Sequence, residues 1–149
     1  MAQGAKRRRR KEERPGDITA AALEVFAEKG FAGARIEEIA ARAGLSKGAV
    51  YLYFPTKEDI FRAVVRDTVA PNLATMQTAL LSADVPFASL VRTLLPRLAE
   101  TITALPVGAV LKMVIGESRN FPELARVWHD NVIQRAIGLL SDIIEQAQT

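Results

Sequence analysis

The chain has 149 residues, 49% of them apolar, with no cysteine and a single histidine, His129. Such a composition can build a core, and it excludes disulfide frameworks, thiol nucleophiles and thiolate metal sites; one imidazole leaves little for zinc or a histidine-based catalytic cluster. The net charge of +3 is uneven: residues 1–66 hold 14 Lys/Arg against 9 Asp/Glu, residues 67–149 hold 6 against 8, and KRRRRKEER at 6–14 carries the whole excess of the first part.

The basic stretch at residues 1–14 has no apolar anchor and is expected to be a disordered arm until something binds it. No apolar run follows it as a signal peptide requires, and no stretch approaches the ~20 apolar residues of a membrane span. The chain therefore reads as a cytoplasmic protein, with no cofactor, metal or membrane partner implied.

Pro15, Gly16 and Asp17 have the composition of a helix start. Ile18, Ala22, Val25 and Phe26 then recur at helical spacing up to Gly30. A second short helix carries Ile36, Ile39, Ala40 and Ala43 and is closed by Gly44; Ser46 caps a third, to about Phe54, which Pro55 ends. Thr56 with Asp59 makes a capping box for a fourth helix bearing Ile60, Phe61, Val64 and Val65, continuing past Pro71 with a kink. Helical patterns follow at roughly 87–105 with a bend at Pro96, at 107–119, and at 122–147 after a cap at Asn120. The fold class is all-α: a helix-turn-helix domain over 15–62 and a helical regulatory bundle over 63–149.

Two short helices joined through Gly44, Leu45 and Ser46 form a helix-turn-helix, whose second helix enters the DNA major groove. Placing Val50 and Phe54 inward turns Gly48 and Leu52 outward, with Ala49 and Tyr51 on the flanks. A glycine at the outermost position weakens the helix by ~1 kcal/mol relative to alanine but lets another surface approach closely. Lys47 and Lys57 each follow a cap, where a cation opposes the helix dipole by a few tenths of a kcal/mol and, with the amides, suits a phosphate. Tyr51 and Tyr53 could bond phosphate or touch a thymine methyl. The bland alternatives are solvated lysines and a Tyr53 packed beneath its helix. Arg8, Arg9 and Arg10 of the arm would add salt-sensitive, sequence-blind affinity for DNA.

Residues 21–61, AALEVFAEKGFAGARIEEIAARAGLSKGAVYLYFPTKEDIF, resemble the TetR family of bacterial transcription regulators. The resemblance implies a homodimer whose paired recognition helices read a palindromic operator in double-stranded DNA, and a helical domain whose small-molecule effector, of unknown class, releases it. It implies DNA contacts at Ser46, Lys47, Gly48, Ala49, Tyr51, Tyr53 and Lys57. At three positions the chain departs from the family. Ala34 stands where the family often has a hydroxyl cap, whose loss is worth roughly 1 kcal/mol. Arg35 replaces a small hydroxyl residue and could reach a phosphate. Leu52 occupies a contact position without a hydrogen-bonding group. FPELARVWHDNVI at 121–133 is similar to the start of a long helix in one branch of the family. Members usually carry further, dimer-forming helices beyond the position of Thr149, so a shortened regulatory domain is expected.

Effector-site candidates are Met76, Phe87, Leu94, Met113, Glu117, Phe121, Trp128 and His129, although Met and aromatics at helical spacing are also what any bundle interior uses. Rival readings are an architectural DNA binder without effector response and, from another class, a basic amphipathic protein on a membrane surface. An enzyme is not expected: no nucleophile–base pair, phosphate-binding glycine loop or metal-ligand spacing is present.

Overall fold

A computed structural model describes the backbone of residues 2–82, 85–104 and 107–148; the side chains of 2–13, of Met76, Phe87 and Leu94, and of 80, 90, 95, 98, 101, 102 and 107 fall outside the described ones. Every element among the described residues is a helix. None of these helices is long and apolar enough to cross a membrane.

Helix α1 spans Ala2–Gly33 and includes Pro15. The arm expected to be disordered is thus helical from Ala2, and Pro15 lies within the helix rather than at its start. Ala, Gln, Lys, Arg and Glu are strong helix formers, and a chain rich in them takes up helix even without apolar anchors. Thr19, the buried polar residue of α1, donates its hydroxyl to the Gly16 carbonyl at 3.0 Å. The helix breaks at Gly30, whose φ of 74° and ψ of −178° belong to a region essentially reserved for glycine.

Helix α2 spans Ile36–Ala43 and α3 spans Lys47–Tyr53. Position 35, not 34, caps α2: Arg35 is extended and offers no side-chain cap, while Ala34 is buried at the corner before it. Gly44 closes α2 in the left-handed region (φ 70°), its amide bonding Ala41 O at 3.2 Å while Leu45 N–H bonds Ala40 O at 2.9 Å. Ser46 then caps α3, accepting from Ala49 N–H at 3.2 Å. Helix α4, Lys57–Val64, starts at Thr56, whose hydroxyl oxygen accepts from Asp59 N–H at 3.1 Å and donates to the Asp59 carboxylate at 2.8 Å.

Helix α4 runs on through a π turn, Val65–Val69, into α5, Ala70–Leu81. Pro71 has no N–H and crowds the carbonyl four residues back; the wider turn just before it relieves that crowding. Helix α6, Phe87–Thr103, contains Pro96; α7 is Val107–Glu117. Helix α8, Pro122–Trp128, joins α9, Gln134–Gln148, through a second π turn. The expected Asn120 cap is not formed. Phe121 is the residue before the first turn, Pro122 sets that turn, and the Asn120 amide is used in a turn to Glu117 O at 3.0 Å.

One hydrophobic core joins Ile18, Phe26, Ile39, Val50 and Phe61 to Val110, Met113, Leu124 and Trp128, so packing is continuous across residue 62. Its centre is aromatic. The rings of Phe26, Phe31 and Phe61 lie 5.7–6.1 Å apart, and Phe121 meets Phe31 at 4.9 Å.

Candidate nucleic-acid interface

The register of α3 places Val50 wholly inside, against the core that includes Ile39. That anchor turns Leu52 outward, 85% exposed, with Tyr51 at 43%. Gly48 is exposed, and a β-carbon built on it would meet nothing within 4 Å. Ala49 is half-buried on the flank, while Tyr53 and Phe54 are half-buried and pack against the core. The Gly44 and Ser46 caps fix how this face is presented.

The cations are less free than the sequence suggests. Lys47 pairs with Glu37 at 2.7 Å, its ammonium 5.9 Å from the Tyr51 ring centre. The Lys47 hydrogen bond holds the Glu37 carboxyl below its ordinary range, and Glu37 in turn raises Lys47. Lys57 does not extend outward beside its cap. It is half-buried, donates to Ala34 O at 3.2 Å and sits 4.6 Å over the Phe31 ring. A carbonyl and the negative face of an aromatic ring, both at the α1–α2 corner, give the ammonium a partly desolvated seat. Arg35 is exposed beside that corner. Arg42 bridges to Glu28 at 2.5 Å and Lys29 pairs with Glu38, so ion pairs brace α1 against α2. The side chains of Arg8, Arg9 and Arg10 lie outside the described residues.

The described effector candidates lie apart. Met113 and Trp128 are buried in the core; His129 is exposed beside Asp130, 3.1 Å away. Met76 and Phe87 lie outside the described side chains. Glu117 is no free partner for a cationic effector: its two oxygens accept from the backbone amides of Phe31 at 3.1 Å and Ala32 at 2.8 Å. Those amides are exposed to capture because the chain has just turned at Gly30. A cleft of about 690 Å³ lies between α1 and α7, lined mainly by apolar groups including Phe26, Leu111 and Met113. Of the described candidates, Met113 lines it. The partners of Lys47, Lys57 and Glu117 come from other helices and from the α1–α2 corner, and no local spacing in the sequence marks them.

Residues 18–64 match the profile described as bacterial regulatory proteins, tetR family, and residues 89–149 that of the AefR-like transcriptional repressor C-terminal domain. The HTH-type transcriptional regulator RutR of Escherichia coli (strain K12) is 40% identical over 82 residues, covering 52% of this chain and 39% of RutR. The chain thus spans about two fifths of the length of the curated relatives it matches first. A solved chain from Mesorhizobium loti MAFF303099, described as a TetR-family transcriptional regulator, superposes with a TM-score of 0.80 at 26% identity, over 92% of this chain and 69% of that one. FadR from Bacillus subtilis, solved with stearoyl-CoA, shares the fold at a TM-score of 0.64 and 19% identity, over 87% of this chain and 68% of its own.

Proposed function

This chain belongs to the TetR family of bacterial regulatory proteins, and on that footing we propose that it is a transcriptional repressor, holding a palindromic operator as a dimer and released by a small-molecule effector. The outward face of α3 carries the reading: Gly48, Tyr51 and Leu52 stand exposed on a short helix that Val50 anchors and two caps orient. A helix so presented fits a major groove. The basic arm supplies affinity that does not depend on sequence.

Repression is favoured by the repressor profile that residues 89–149 match. An association surface is favoured by Ile133, Ile137, Leu140 and Ile144, which are 40–57% exposed and recur along one side of α9 and the turn before it. The effector reading is supported by the fold shared with FadR, a regulator solved in complex with stearoyl-CoA.

Gly48→Val tests the placement of α3. A β-carbon added there meets nothing within 4 Å, so helical content by circular dichroism should stay the same while operator affinity falls. Unchanged operator affinity would remove α3 from the groove.

A further inference from the structure

We propose that Leu52 is a specificity-determining residue that reads the C5-methyl group of thymine, so that this protein recognises its operator through apolar contact rather than side-chain hydrogen bonds at that position. The inference rests on α3 entering the major groove and adds the base that it selects.

The chemistry of α3 is the first reason. Its seven residues, KGAVYLY, include no Arg, Asn or Gln, the side chains that read guanine and adenine by paired hydrogen bonds. The lysine is already held by Glu37 at 2.7 Å, and reaching a base edge would break that contact. Tyr53 is half-buried against the core. Among the exposed side chains of α3 this leaves the Tyr51 hydroxyl as the hydrogen-bonding group not already engaged by another side chain.

The second reason is Leu52 itself. It is the most exposed large apolar side chain described, at 85%. Little in the fold is gained by holding it there, since most of its surface faces water. One turn earlier on the same face stands Gly48, with open space where a side chain would be. That gap lets the helix backbone approach the DNA, and Leu52 is the group that would then reach the floor of the groove. Of the features that the four base pairs display there, the thymine methyl is the one that rewards an aliphatic side chain.

The test uses the full chain and a site selected from random duplex DNA. Each thymine of the winning site is replaced in turn by deoxyuridine, which keeps base pairing and removes only the methyl group. Affinities are measured for the wild type and for Leu52→Ala, whose fold should survive because the side chain is solvent-exposed. At one or more thymines the wild type should weaken about fourfold, the worth of one buried methyl, while Leu52→Ala should not respond to the same replacement. Two results would overturn the proposal: no thymine matters to the wild type, or both proteins lose equally. A selection without any winner would instead overturn the operator reading, and this inference with it.

Discussion

Glu117 occupies the space that a side chain on Gly30 would need, and its carboxylate bonds the amides of Phe31 and Ala32 that the Gly30 turn exposes. The last residue of α7 is thereby tied to the end of α1, 86 residues earlier, and through Phe31 to the ring cluster beneath the helix-turn-helix. Any movement of α7 must either carry the end of α1 with it or break this clamp.

Gly30→Ala should destabilise the protein on two counts: the backbone geometry disfavours any side chain by about 1–3 kcal/mol, and the new methyl would displace Glu117. Glu117→Ala should cost about 1–3 kcal/mol by removing the charge-assisted hydrogen bonds to a part-buried and an exposed amide. Because one carboxylate is involved in both, the double variant should lose less than the two separate losses combined. Urea unfolding of the four proteins gives the comparison; strict additivity would mean that the clamp and the turn are independent.

Lys57→Ala separates a structural lysine from a DNA-binding one. The seat on Phe31 and Ala34 O predicts a stability loss of about 0.5–1 kcal/mol and no change in the salt dependence of DNA binding. A salt slope reduced by about one phosphate contact with unaltered stability would restore the role that the sequence suggested.

The ion pairs between α1, α2 and α3 predict an acid-sensitive brace. Glu37, Glu38 and Glu28 are each held below the ordinary value of 4.5, chiefly by hydrogen bonds from Lys47, Lys29 and Arg42 respectively. A carboxyl depressed in the folded state binds fewer protons there than when unfolded. Its contribution is therefore complete above the ordinary value and fades as pH falls through the lowered one. Thermal midpoints should drop below about pH 4.5, less steeply for Lys47→Ala than for wild type, and less at high salt. Parallel pH profiles for the two proteins would show that the Lys47–Glu37 pair contributes nothing.

What the sequence made legible was local. Helical spacing put Val50 inside and Leu52 outside, Gly44 and Ser46 marked the turn between α2 and α3, and Thr56 with Asp59 marked the start of α4. Each of these depends on residues within a few positions of one another. Lys57 over Phe31, Lys47 on Glu37 and Glu117 on the α1 turn depend on how separate helices pack, and no periodicity encodes that. The helicity of the arm has a different origin. Absence of apolar residues removes a packing motive, but straight-chain and alanine side chains still favour helix locally.

Removing residues 1–14 should flatten the salt dependence of DNA binding while leaving the preference for operator over shuffled DNA largely intact, since phosphate contacts position and base contacts specify. An unchanged slope would take the arm out of the interface.

Sequence-specific recognition by α3 can be measured by selection from random duplex DNA. The winning site is then compared with its shuffled version at two salt concentrations. A palindromic winner is expected, with an advantage over the shuffled site that persists as salt rises, because base contacts rather than the arm create it. A pool with no winner, bound only with steep salt dependence, would contradict that expectation and leave the arm as the sole source of affinity.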